Sequence, residues 1–282
     1  MSPADRFVRF QRILVAVDNS SNSLAALDQA AVLAELLHCE LSGMFVEDSD
    51  VLNLAALPFT KAIAPLGGQE RALNRVGVEQ QLRLRAAAAR RAVEHTAGRR
   101  HISWQFAVKR GSVEDELIAA ATTTDLLCVG KTRPAEQIRS RLGSRARGVA
   151  RHPAVLFVGQ GEAGRNGPIV MRHDGSDHAG HGLALARRLA SATGRLLTIL
   201  LTPAAMPLQP ALLAEAGEDA EFLALGNDPN ALTETVLDIA PSLLVLCATG
   251  DAEADRQLDQ ATAAIKSPVL LLRPQPGEGP VD

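Results

Sequence analysis

The 282-residue chain has no tyrosine, one tryptophan and seven phenylalanines, so aromatic residues make up only 3%. Recognition of single-stranded nucleic acid by stacking bases on aromatic rings is therefore not expected. Three cysteines, Cys39, Cys128 and Cys247, are too few and too scattered for a disulfide framework or a zinc site. Cys128 and Cys247 lie inside apolar runs that read as central strands, where a thiol serves as a small buried apolar group. No apolar run approaches the ~18 residues of a membrane span, and Met1–Phe10 lacks the apolar stretch of a signal peptide. The expected location is the cytoplasm. No Ser/His/Asp or Cys/His set stands out by spacing, and no paired carboxylates suggest hydrolysis.

What is present is aliphatic and repeated. Apolar residues make up 46% of the chain, and the content dictates a core of Ala, Leu and Val under closely packed helices. Ile13-Leu14-Val15-Ala16-Val17-Asp18-Asn19-Ser20 is echoed by Ile169-Val170-Met171-Arg172-His173-Asp174-Gly175-Ser176, and each copy feeds an Ala/Leu-rich helix. A second echo sets Asp125-Leu126-Leu127-Cys128-Val129-Gly130 against Ser242-Leu243-Leu244-Val245-Leu246-Cys247. Echoes that keep their order at domain scale point to duplication.

In each half, short β-branched or aliphatic runs alternate with helical stretches, the pattern of a parallel sheet covered by helices. Strands are expected at 12–18, 41–47, 102–109, 125–130 and 154–158, then at 169–174, 195–201, 220–225, 242–247 and 268–272. Helices are expected near 22–38, 78–97, 112–123 and 143–151. The fold class is thus α/β: two tandem doubly wound five-stranded parallel sheets with helices on both faces. In such a sheet a ligand binds beyond the carboxyl ends of the strands, where the winding direction changes. The Gly-rich polar stretch from Gly159 to Pro168 marks the boundary, giving a first domain at 1–160 and a second at 167–275. A long segment from Asp48 to about Gly77 separates the second strand from the second helix, and links of that length are commonly functional.

Charge divides the halves. Residues 1–165 hold 22 Lys/Arg against 17 Asp/Glu, whereas residues 166–282 hold 7 against 15. Within 130–152 stand seven basic side chains, Lys131, Arg133, Arg139, Arg141, Arg145, Arg147 and Arg151, against the single acid Glu136. This strand, loop and helix start with Gly143-Ser144 offers backbone N–H groups and positive charge to an anion. Gly130-Lys131-Thr132 imitates the end of a Walker A loop, but position 125 is Asp, where that motif needs Gly. A solvated basic face is the other reading of the same run.

These residues resemble the universal stress protein family: a first strand ending in Val-Asp-x-Ser, a second ending in Phe45-Val46, and a fourth entering a Gly-x2-Gly-x9-Gly-Ser loop. The resemblance covers nearly the whole chain, as a tandem member with an adenine-nucleotide-binding, Rossmann-like fold. It implies that Asp18 and Val46 contact adenosine, that Val129 lines the base pocket, and that Gly130, Gly143 and Ser144 meet phosphate. It also implies ATP, with Mg, as the ligand, a stress-response or regulatory role and not a metabolic enzyme, and pairing of the two domains through their fifth strands or a homodimer; the lack of a catalytic set leaves at most slow ATP hydrolysis. Two departures matter. Arg133 replaces the second glycine of the loop, where its guanidinium either binds phosphate beside Arg145 or blocks the site. The second half has Ala248-Thr249-Gly250-Asp251 and the further acids Glu253 and Asp255 in place of the loop, so no nucleotide is expected there.

The alternatives are a nucleotide-independent dimerisation or interaction module with a protein partner, and a nucleotidyl transferase. The second reading rests on His178-Ala179-Gly180-His181, similar to the His-x-Gly-His signature of transferases of a related fold. His173 and Asp174 are adjacent on a strand, so they point to opposite faces and cannot converge on one metal ion.

Overall fold

Aliphatic runs become strands here because both faces of the sheet are covered, and the Ala-rich stretches between them become helices that lie close upon it. The computed structural model describes residues 10–49, 53, 61–63, 70–72, 75–123, 125–131, 152–159, 166–228 and 230–274. The first half runs β1 (Arg12–Ala16), α1 (Ser21–Leu37), β2 (Glu40–Asp48), β3 (Lys61–Ile63), β4 (Glu70–Ala72), α2 (Arg75–Gly98), β5 (Trp104–Gly111), α3 (Val113–Ala120), β6 (Asp125–Gly130) and β7 (Ala154–Val158). The second runs β8 (Ile169–His173), α4 (Asp177–Thr193), β9 (Leu197–Leu201), α5 (Gln209–Ala216), β10 (Glu221–Ala224), α6 (Ala231–Ile239), β11 (Leu243–Cys247), α7 (Ala252–Ala264) and β12 (Val269–Leu272).

The two expected sheets are one. Ten strands lie in the order β10-β9-β8-β11-β12-β7-β6-β1-β2-β5. All neighbours are parallel except β7 and β12, which pair antiparallel from Ala154 opposite Leu272 to Phe157 opposite Val269. Joining the fifth strands of the halves satisfies two rows of backbone donors and acceptors that would otherwise stand open as edges. The 48–77 segment holds a feature the sequence reading lacked, a two-stranded antiparallel sheet of β3 and β4. The expected helix near 143–151 lies outside the described residues.

Alternation along the strands sends side chains to the two faces of the sheet, where they form three clusters. Ile13 and Val15 join a cluster that continues across the joint through Leu156 and Leu270 to Met171, under α1, α2, α4 and α5. Leu14, Leu127 and Val155 face the other way, onto Leu117 of α3, whereas Val170, Leu244 and Leu271 pack separately against α6 and α7. Each fully buried Leu or Ile adds roughly 1.5–3 kcal/mol of transfer free energy. Ser20 and Ser176 begin α1 and α4, each accepting a bond at 3.2 Å from the backbone three residues on, Ser23 and Ala179. Cys39, Cys128 and Cys247 are all free and buried.

Candidate functional site

Winding reverses between β1 and β6 in the first half and between β8 and β11 in the second. Register makes the two crevices comparable atom by atom. Ile13 pairs with Leu126, and Ile169 with Leu243. Counting along the strands, Asp18 corresponds to Asp174, and Gly130 to Cys247.

In the first crevice, Asp18 is exposed, two residues beyond β1. Its Oδ1 accepts from the Ser20 N–H at 2.9 Å, and its own N–H donates to Ser23 Oγ at 3.2 Å. Ser23 in turn donates its hydroxyl to the Ser20 carbonyl at 3.0 Å. Partial burial raises the carboxyl pKa, but hydrogen bonds from Ser20, Ser23 and the nearby amides outweigh it and hold Asp18 below the ordinary carboxylate value. The result is an accessible, ionised acceptor at the carboxyl end of the central strand. Asn19, at φ +63°, turns the chain and donates to the Arg85 carbonyl at 2.8 Å, tying this loop to α2.

Gly130 ends β6 against the first turn of α1. A Cβ there would lie 2.8 Å from the Asn22 carbonyl oxygen and 3.1 Å from Asn22 Cβ, so the approach of strand to helix requires glycine. Asn22 is 8% exposed, and its buried Oδ1 has no hydrogen-bond partner among the described residues. Val46 and Val129, on the strands flanking β1, are both half-buried on the face that carries Leu14 and Met44. The fold thus brings Asp18, Val46, Val129 and Gly130 to one end of three adjacent strands. Arg133, Gly143, Ser144 and Arg145 lie outside the described residues. Lys131 departs from its expected role in an anion-binding run: its Nζ donates to the Ile265 carbonyl at 2.8 Å, across the joint.

The second crevice is closed by its own side chains. Asp174 Oδ1 accepts from the Ser176 N–H at 3.1 Å and hydroxyl at 2.7 Å, and Oδ2 accepts from Arg172 at 3.3 Å. Burial raises its pKa, yet the Ser176 bonds, with the Arg172 charge, hold it below the ordinary value. The position of Arg172 corresponds to Ala16 in the first half, which has no group to offer Asp18. Cys247, 1% exposed, fills the place of Gly130, and burial pushes its thiol up to about 12. Room for the sulfur comes from the helix, where a Cβ on Gly182 would overlap Cys247 Sγ.

Four residues then lead from β11 to α7. Asp251 accepts from the amides of Glu253 and Ala254 at 3.0 and 2.9 Å, and Asp255 accepts from the Thr249 N–H at 3.1 Å. The helix-start donors that would meet an anion are occupied by carboxylates. His173 is buried at 2% exposure and its Nδ1 accepts from the Gly175 N–H at 3.1 Å. His178 and His181 meet edge to face with centroids 6.1 Å apart. Among the described residues, no group of three or more His, Cys, Asp or Glu side chains is placed to hold a metal ion, and no helix is long and apolar enough to cross a membrane. A polar cavity of about 350 Å³, lined by Gln11, Arg12, Glu40, Thr122 and Asp125, lies at the opposite, amino ends of the strands. Arg12 and Asp125 are already paired there at 3.0 and 2.8 Å, so the cavity borders a structural ion pair.

A doubly wound α/β protein whose two crevices carry different residues at matched positions is the class these features define. The sequence model of the universal stress protein family matches residues 9–155, and the chain belongs to that family. A universal stress protein from Archaeoglobus fulgidus DSM 4304 is similar in fold, with TM-score 0.67 at 15% identity, covering 95% of this chain and 97% of that one. A functionally unknown protein from Pseudomonas aeruginosa PAO1 gives TM-score 0.58 at 14% identity, over 95% and 94% of the two chains. A universal stress protein solved in complex with cAMP is 21% identical over 53% of this chain and 97% of that one, with TM-score 0.34. No curated protein matches the chain.

Proposed function

We propose that the first half binds one adenine nucleotide, ATP with Mg, and that the second half binds none. In this reading the protein is a stress-response regulator and not a metabolic enzyme. The observation that carries it is the contrast between the crevices: Asp18 is an accessible carboxylate beside Gly130, whereas Asp174 is tied to Arg172 and Cys247 stands where Gly130 would be. Asp18 and Val46 hold the adenosine, Val129 lines the base pocket, and Gly130, Gly143 and Ser144 meet the phosphates, with Arg133 and Arg145 supplying charge. An ionised Asp18 fits a hydroxyl or amine donor, because a charge-assisted bond is the stronger kind.

Calorimetric titration with ATP and Mg tests the reading. Asp18→Ala is expected to weaken binding about 10- to 100-fold, the effect of one hydrogen bond to a charged group, while Asp174→Ala leaves it unchanged. Arg133→Glu weakens it further if the guanidinium meets phosphate. Absence of heat with folded wild-type protein at millimolar nucleotide would overturn the proposal.

A further inference from the structure

Lys131 directly follows Gly130, yet its side chain leaves the first half. Nζ donates to the carbonyl of Ile265 at 2.8 Å and to that of Ser267 at 3.4 Å. Both belong to the turn between α7 and β12 in the second half. Gly159 packs closely on the third carbonyl of the turn: a Cβ there would lie 2.6 Å from the Lys266 oxygen. Lys131 and Gly159 are neighbours, since the Lys131 N–H donates to the Val158 carbonyl at 2.6 Å. Two first-half residues therefore seat three successive carbonyls of the second.

The seat is chemically matched. Ile265 is the C-cap of α7, so the amine stands at the negative end of a helix dipole. Burial pulls the Lys131 pKa down to about 7, and carbonyl acceptors compensate a buried amine for lost water. The arrangement is one-directional. Since Gly130 corresponds to Cys247, the counterpart of Lys131 is Ala248, which is fully buried and has no donor to reach back.

We propose that the second half anchors the root of the first-half loop through Lys131 and the 265–267 turn, and that this anchoring sets the affinity of the first-half site for nucleotide. The anchoring stands on the contacts alone; the second clause rests on the nucleotide reading above. Lys131 is then a positioning residue that acts through Gly130, and the closed half has a task in the open half's site.

The test measures hydrogen exchange over residues 265–272 and ATP-Mg affinity in the full chain, for wild type, Lys131→Met, Lys131→Arg, Gly159→Ala and Asp18→Ala. Lys131→Met is expected to speed exchange in that segment and to weaken binding, each by about tenfold, as for loss of a bond to a charged donor, and Gly159→Ala, whose Cβ would push the Lys266 carbonyl away, to change both in the same direction. Lys131→Arg, which keeps donors, recovers most of both. Asp18→Ala weakens binding with wild-type exchange. Wild-type exchange in both Lys131→Met and Gly159→Ala overturns the anchoring. Faster exchange with unchanged affinity overturns the positioning and leaves the proposed function intact. No binding by wild type, with faster exchange in Lys131→Met, overturns the proposed function and the positioning while the anchoring holds. Gly159→Ala leaves the lysine in place, so it decides the matter if Lys131→Met fails to fold.

Discussion

The two halves share a strand order and divide the chemistry. At the carboxyl ends of their central strands, the first half leaves Asp18 accessible and keeps Gly130, and the second satisfies Asp174 with Arg172 and fills the glycine position with Cys247. At the amino ends the contrast is reversed. Arg12 and Asp125 form a paired, largely buried ion pair in the first half, with side-chain exposures of 26% and 1%. Their register counterparts are Pro168 and Ser242, joined only by neutral bonds from Ser242 to the Pro168 carbonyl at 2.9 and 3.1 Å. A duplicated fold thus keeps its backbone plan while the buried ion pair sits at the amino ends of one copy, Arg12 with Asp125, and at the carboxyl ends of the other, Arg172 with Asp174. The placement is informative because burying charge needs a compensating partner.

The largest effect expected from this contrast is on stability. Arg12→Met leaves the Asp125 carboxylate buried without its partner and should cost about 3 kcal/mol in denaturant unfolding, whereas Ser242→Ala should cost about 1 kcal/mol. The pH dependence has a definite sign. Burial raises the Asp125 pKa, but its bonds to Arg12 and Thr122 outweigh this and lower it overall. That stability is present above the unfolded value of about 3.9 and is lost as pH falls through the lower folded value. Asp125→Asn should therefore flatten the acid limb of the stability curve; an unchanged limb would mean that the pair does not control it.

Next in size is the exchange of small residues between strand and helix. Gly182→Ala must displace Cys247, and an overpacked core site of this kind costs about 1–3 kcal/mol. The double change Gly182→Ala with Cys247→Gly should regain part of that loss, and strict additivity of the two would show that they do not share the contact. A smaller effect sharpens the functional side. Arg172→Ala leaves Asp174 held by Ser176 alone and should cost less than Arg12→Met, because it removes a single bond at 3.3 Å, yet it should not create nucleotide binding. The helix-start amides beyond β11 remain occupied by Asp251. Appearance of a second site in that variant would show that Arg172 alone closes the crevice.

The duplication was legible because buried parallel strands are continuous aliphatic runs, and every described strand of the ten-stranded sheet overlaps an expected one. That Asp18, Val46 and Gly130 lie toward one end of their strands was likewise legible, whereas Val129 entered only through the family resemblance. The fusion of the halves into one sheet is tertiary, and it was reached only through family resemblance, because no local pattern distinguishes an edge from a joint. Lys131 illustrates the limit. In the sequence it reads as one cation among seven beside a loop, while its acceptors are carbonyls 134 and 136 residues away, which carry no side-chain signature. The closure of Asp174 had a readable signal in Arg172, two residues before it and on the same side of the strand. The short β3–β4 hairpin had none that separates it from an irregular segment.

The central claim is one working crevice per chain, and the stoichiometry of nucleotide bound to purified, folded protein tests it most directly. Saturation with ATP and Mg should give one nucleotide per chain, reached in Asp18→Ala only at about 10- to 100-fold higher nucleotide and in Asp174→Ala at the wild-type concentration. Two nucleotides per chain, or one that depends on Asp174, would contradict the account.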